Sequence, residues 1–147
     1  MAKINKVRIL LAAIAYVVIS QVIHTVSSML TMSYYTDPTY FPVWSKAMMP
    51  AAGPPPTEFY LLSIGFVFIV GLIYSLIYEK VKGIMKGTAF NKGLKYGLAL
   101  FLMAGVPFFF SMYLLINLPV ALLIEWLLVD GLVMYLLGGI AIARLNK

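Results

Sequence analysis

Four apolar runs dominate the chain, with short polar segments between them. They predict helices at about 9–32, 59–78, 97–116 and 120–143. Each is close to the roughly 20 helical residues that cross a bilayer core. Phe59 to Tyr78 is a charge-free run of 20 residues and the plainest of the four. The third carries Pro107, which removes one backbone hydrogen bond and should kink the helix. Asn117-Leu118-Pro119 forms a tight turn into the fourth. The expected fold is all-α: a transmembrane four-helix bundle forming a single membrane domain over 1–147.

Two connections differ in chemistry. Residues 33–58 hold Asp37-Pro38, Pro42, Pro50 and Gly53-Pro54-Pro55-Pro56, which favours extended or turn backbone. Tyr34, Tyr35, Tyr40, Phe41 and Trp44 in the same stretch suit a headgroup zone, so this loop should lie along a membrane surface. Residues 79–96 are basic, with Lys80, Lys82, Lys86, Lys92 and Lys95, and are interrupted by Gly83, Gly87 and Gly93. Of the eleven basic residues, ten fall on one side of the four-helix topology and only Lys46 on the other. The positive-inside rule then places both termini and loop 79–96 in the cytoplasm and loop 33–58 outside, in a plasma membrane. The first run also admits a signal-peptide reading, with Lys3, Lys6 and Arg8 before it and Thr25-Val26-Ser27 as a small-residue site. The run continues past that site and lacks an Ala-x-Ala, which favours a retained helix.

Composition agrees. The chain of 147 residues is 63% hydrophobic and 11% charged, against about 45–50% apolar and about 25% charged in soluble domains. The net charge of +6 flanks apolar segments rather than covering a broad polar surface. It therefore points to membrane surface and not to nucleic acid. Loop 79–96 has two readings, a topology determinant or a site for anionic headgroups. With no cysteine, disulfides, thiolate metal sites and a cysteine nucleophile are excluded. A single histidine excludes bis-histidine haem within one chain and histidine-rich zinc sites. No phosphate-binding, dinucleotide or nucleophile-elbow glycine motif occurs. No cofactor and no metal site is expected.

Ionisable groups inside a span are costly and mark functional candidates. Three qualify: His24 in helix one, and Glu125 and Asp130 in helix four. At about 1.5 Å of rise per residue, His24 lies about 24 Å above Arg8 and Glu125 about 9 Å below Pro119, nearly the same level. Asp130 lies deeper. Ser20, His24, Ser27 and Thr31 form one helical stripe, with Gln21, Thr25 and Ser28 beside it. Lipid would not solvate this face. The functional expectation is a polar cavity lined by Ser20, Gln21, His24, Ser27, Thr31 and Glu125. The plainer expectation is interhelical hydrogen bonding. Glu125 and Asp130 are about 140° apart on an α-helix, so no dyad is expected between them. Asp130 is a candidate proton or ion relay, or a carboxyl carried in its neutral form. Gly131, Met134, Gly138 and Ala141 share its side of the helix, and Gly139 and Ala143 share that of Glu125. Such small residues allow close packing. Gly71 and Ser75 form a small-xxx-small pair that marks a helix contact or a dimer face. The nine Met and nine Phe residues are expected to be packing material.

Asn91-Lys92-Gly93-Leu94-Lys95-Tyr96-Gly97 entering an apolar helix with Pro107, followed by Leu118-Pro119 and Trp126, resembles uncharacterised small prokaryotic four-helix integral membrane proteins. The likeness covers the C-terminal half, and it implies a fold and no activity. Two functions remain in view. One is a non-enzymatic transport or binding component, partnered by lipid and by a second copy or another membrane subunit. The other is a membrane-embedded enzyme acting on a lipid-like or quinone-like substrate, with His24 and Glu125 as acid and base.

Overall fold

Four helices carry the chain back and forth: α1 (Lys6–Leu30), α2 (Thr57–Val81), α3 (Ala89–Leu115) and α4 (Val120–Leu145). They come from a computed structural model, which describes residues 5–51 and 53–147. The structure is 80% helical, with no strand among the described residues. Lys3 lies outside those residues. Each helix is long and apolar enough to cross a membrane, and only 11% of the α2 span is buried inside the molecule. Helices that are apolar all round need a solvent other than water.

The ends of the helices have local causes. The Asn5 side chain accepts from the backbone N–H of Val7 (3.1 Å) and Arg8 (3.2 Å), capping α1. Helix α2 starts directly after Pro56, with Glu58 in its first turn and Lys80 in its last, both matching the helix dipole. Helix α3 starts at Ala89, eight residues before the expected position 97. Thr88 caps it by accepting from Asn91 N–H at 3.3 Å, and Gly93 is an interior residue of this helix rather than a loop breaker. The turn before it needs Gly87, whose φ of 114° disfavours any side chain.

Segment 33–58 is more helical than its prolines suggest. Met32–Thr36 forms one α-turn and Pro38–Val43 a 3₁₀-helix. Pro38 opens the second element, where its missing N–H costs nothing. Asp37 caps that element by accepting from Thr39 N–H at 2.9 Å. This bond holds the exposed Asp37 carboxyl below its usual range.

Most basic residues gather at one end of the bundle, and the Tyr34, Tyr35, Trp44 and Trp126 cluster lies at the other. At the basic end Lys82 bridges Glu79 (2.8 Å) and the Asn146 carbonyl (2.8 Å), and Lys92 donates to the Lys82 carbonyl (3.1 Å). Above these ties lies the main core, built from Ala12, Tyr16, Tyr78, Tyr96, Leu100 and Ile142. A smaller core of Leu118, Leu122 and Leu123 at the aromatic end packs under Trp44 and Trp126.

Two close backbone approaches set the architecture. A Cβ on Gly71 would stand 3.1 Å from the Ala13 backbone, so the Gly71/Ser75 pair is used inside the molecule, between α1 and α2. The second is tighter. A Cβ on Gly93 would stand 2.5 Å from Ile140 Cα, one on Gly139 2.5 Å from the Gly93 carbonyl, and one on Gly97 would strike the Tyr135 carbonyl. Helices α3 and α4 therefore touch backbone to backbone in their basic halves. In their aromatic halves they part around an apolar cleft lined by residues such as Val106, Phe109 and Leu127.

Both of these helices contain a π-turn. In α3 it covers Phe101–Gly105, and Val106 N–H bonds Phe101 C=O five residues back. The expected adjustment at Pro107 takes this form: the ladder widens just ahead of the proline. In α4 the π-turn covers Leu127–Val133, and Met134 N–H bonds Val129 C=O.

Candidate functional site

The π-turn in α4 decides which side chains meet. An α-helix separates residues five apart by about 140°. One π-turn admits about one extra residue and takes back about 100° of rotation. Glu125 and Asp130, expected on different faces, therefore reach the same hydroxyl of α1. Ser27 Oγ lies 2.9 Å from Glu125 Oε2 and 2.7 Å from Asp130 Oδ2. This corrects their expected placement on different faces of the helix, while no direct dyad forms between them. They do not touch directly, but one serine joins them.

The same phase shift redistributes the small residues of α4. Gly139 faces Gly93 and Gly97 of α3, while Glu125 faces α1, so the two do not share a neighbour. Gly138 packs on the Tyr16 ring of α1, as Asp130 packs on α1. Gly131 instead faces Phe101 and Phe109 of α3.

His24 pairs with Asp130, its Nδ1 standing 2.6 Å from Asp130 Oδ1. The expected partner at equal depth was Glu125. The Cα–Cβ bonds of a helix lean toward its own N-terminus. Helices α1 and α4 are antiparallel, so His24 leans toward the basic end and Asp130 leans up to meet it. The four side chains form one line, Glu125–Ser27–Asp130–His24.

This line fixes a proton count. A serine hydroxyl owns one hydrogen and can donate to only one of its two carboxyl neighbours. The other carboxyl must carry a proton and donate to the serine oxygen. Glu125 is the neutral one, because its Oε1 is buried without a partner, and an ionised carboxylate in that position would be far costlier.

The remaining predicted residues fall into two groups. Ser20 and Thr31 are buried with Ser27 on the inner face of α1. Thr31 donates to the Ser27 carbonyl at 2.7 Å, while Ser20 Oγ has no partner among the described residues. Thr25 and Ser28 donate to their own helix, to Gln21 C=O (2.8 Å) and Thr25 C=O (2.9 Å). These are the local bonds such hydroxyls make within helices. Gln21 is half-buried, with its Nε2 unpartnered. Glu125, Ser27, Asp130 and His24 thus meet by side-chain contact rather than across an open chamber.

Aromatic residues roof the line. Tyr35 stacks on Trp44 at 4.8 Å, Trp44 tilts against Trp126 at 6.0 Å, and Trp44 Nε1–H donates to Tyr34 C=O at 3.1 Å. The Tyr35 phenol sits beside Thr31 and Trp126. Burial pushes its pKa up, and the Asp130 charge adds to that.

Two features lay outside what the sequence pattern singled out. One is a set of buried tyrosines in the basic half. Tyr16 and Tyr74 meet edge to face at 5.6 Å, Tyr78 and Tyr96 at 5.1 Å, and Tyr96 Oη donates to Tyr74 C=O at 2.6 Å. Scattered single tyrosines give no periodic signal. The other is the Gly93/Gly97 crossing, whose GxxxG spacing was readable.

No family model matches this chain, and no curated protein or solved structure matches it either. Its function has to be read from the site itself.

Proposed function

We propose that this chain is a multi-pass protein of the cell membrane, with both termini cytoplasmic, acting as a small non-enzymatic component that binds and hands on a proton. The observation that carries the reading is the line Glu125–Ser27–Asp130–His24, three ionisable groups and a hydroxyl in unbroken contact within apolar helices. Ionisable groups within a span are costly and by default point to a functional site. The orientation rests on the lysines, ten of eleven basic residues lying on one side of the topology.

The contact pattern speaks against an enzyme of the acyl-transfer kind. In a catalytic serine arrangement the histidine accepts the serine proton. Here Ser27 sits between two carboxyls and His24 bonds a carboxyl, so the histidine is not aimed at the hydroxyl.

Protein reconstituted in liposomes with an enclosed pH dye tests the proposal. Wild type should pass protons under an imposed gradient, and Asp130→Asn should lower the rate toward that of empty liposomes. Equal rates for the two proteins, or a rate no higher than that of empty liposomes, would remove the reading.

A further inference from the structure

His24 is anchored on one side only. Its Nδ1 meets Asp130, yet its side chain remains 43% exposed, against 14% for Asp130. Among the described residues its Nε2 has no hydrogen-bond partner. It lies six residues from the end of α1, about 9 Å inside the helix terminus. Within a bilayer that depth is hydrocarbon, where a polar group facing lipid is strongly disfavoured.

The uncovered region is wider than one residue. By helical phase His24, Ser28, Gln21 and Thr25 follow one another over an arc of about 100° on α1. Thr25 and Ser28 satisfy their hydroxyls on their own backbone, so they present only small, inert surfaces. His24 and Gln21 do not. Beyond the arc lie Val18, Val22 and Val26, all exposed. A shallow recess runs along Gln21, Val22, Thr25 and Val26. The face thus combines two unsatisfied polar side chains, three residues apart, with small and β-branched neighbours that permit a close helix approach.

We infer that this arc of α1 is the interface with a second copy of the chain. The chemistry of the face selects that occupant. With a ring proton on Nε2, His24 offers a donor there, and Gln21 offers a carbonyl acceptor on the same face. Across a two-fold axis each copy's His24 meets the other's Gln21, the reciprocal pairing that an isologous contact produces. A lipid chain satisfies neither group. The inference rests on the membrane reading given above and not on proton transfer.

The natural absence of cysteine makes the test clean. Thr25→Cys places one thiol on the arc, and Val22→Cys places one at its edge. Phe66→Cys places one on the far apolar face of α2, at a site 68% exposed. Membranes are washed with alkali and oxidised, and masses are then read. Thr25→Cys and Val22→Cys should give a species of twice the chain mass, and Phe66→Cys should not. Adding Gln21→Leu to Thr25→Cys should lower the linked fraction at least about threefold, the equilibrium worth of one interhelical hydrogen bond. Monomers at both arc positions in washed membranes would overturn the inference, as would equal linking at Phe66→Cys. A linked product of any other mass would assign the face to a different protein and overturn it too. Release of the chain by the alkaline wash would instead sink the membrane reading beneath it.

Discussion

Ser27 has one hydrogen for two acids, and this makes Glu125 and Asp130 unequal. Gln at position 125 keeps a donor toward Ser27 and adds no charge, so it mimics the neutral acid already there. Glu125→Gln should change stability by less than about 1 kcal/mol, the net worth of one hydrogen bond. Asn at position 130 replaces the carboxyl that His24 meets at 2.6 Å. Asp130→Asn should cost about 1–3 kcal/mol, because this carboxyl bonds both Ser27 and His24 and an amide cannot replace both contacts. Unfolding titrations in mixed detergent would separate the two. A larger loss for Glu125→Gln than for Asp130→Asn would overturn the assignment of the proton to Glu125. The candidate residues themselves were legible in the sequence, because ionisable side chains stand out in apolar runs. Their partners were not. The pairing of His24 with Asp130 depends on side-chain lean and on the phase of α4, and neither is written in the spacing.

At the scale of the element, the π-turn over Leu127–Val133 is the determining feature. It costs one standard ladder bond and brings two faces of α4 onto α1. No proline or charge run announces it in the sequence. The crossing of α3 and α4 is the opposite case, since Gly93 and Gly97 spell it out. A methyl group at Gly97 would meet the Tyr135 carbonyl, whereas one at Gly65 meets nothing within 4 Å. Gly97→Ala should therefore destabilise by about 1–3 kcal/mol through overpacking. Gly65→Ala should be neutral, or stabilise by about 0.5–1 kcal/mol through helix propensity. Thermal unfolding of the purified protein checks both, and equal behaviour of the two would dismiss the close approach.

At the scale of the molecule, ten of the eleven basic residues lie on one side of the topology, and the proposed orientation follows from that polarity. The cysteine-free background again gives a direct check. Lys46→Cys should react with a membrane-impermeant thiol reagent in intact cells, and Lys86→Cys only after permeabilisation. The reverse pattern would invert the topology. The sequence by itself determined the four helices, their order and the charge polarity between the two ends. Those properties follow from run length and residue type, which act locally. It also marked the stripe on α1 and the acids on α4 as exceptions to an apolar pattern. Only the tertiary structure decided that Glu125, Ser27, Asp130 and His24 form a single line. That result depends on the rotation of α4 by one π-turn against an antiparallel neighbour. A shift of one residue in that ladder moves a side chain by about 100° around the helix, while the hydrophobic pattern along the chain stays the same.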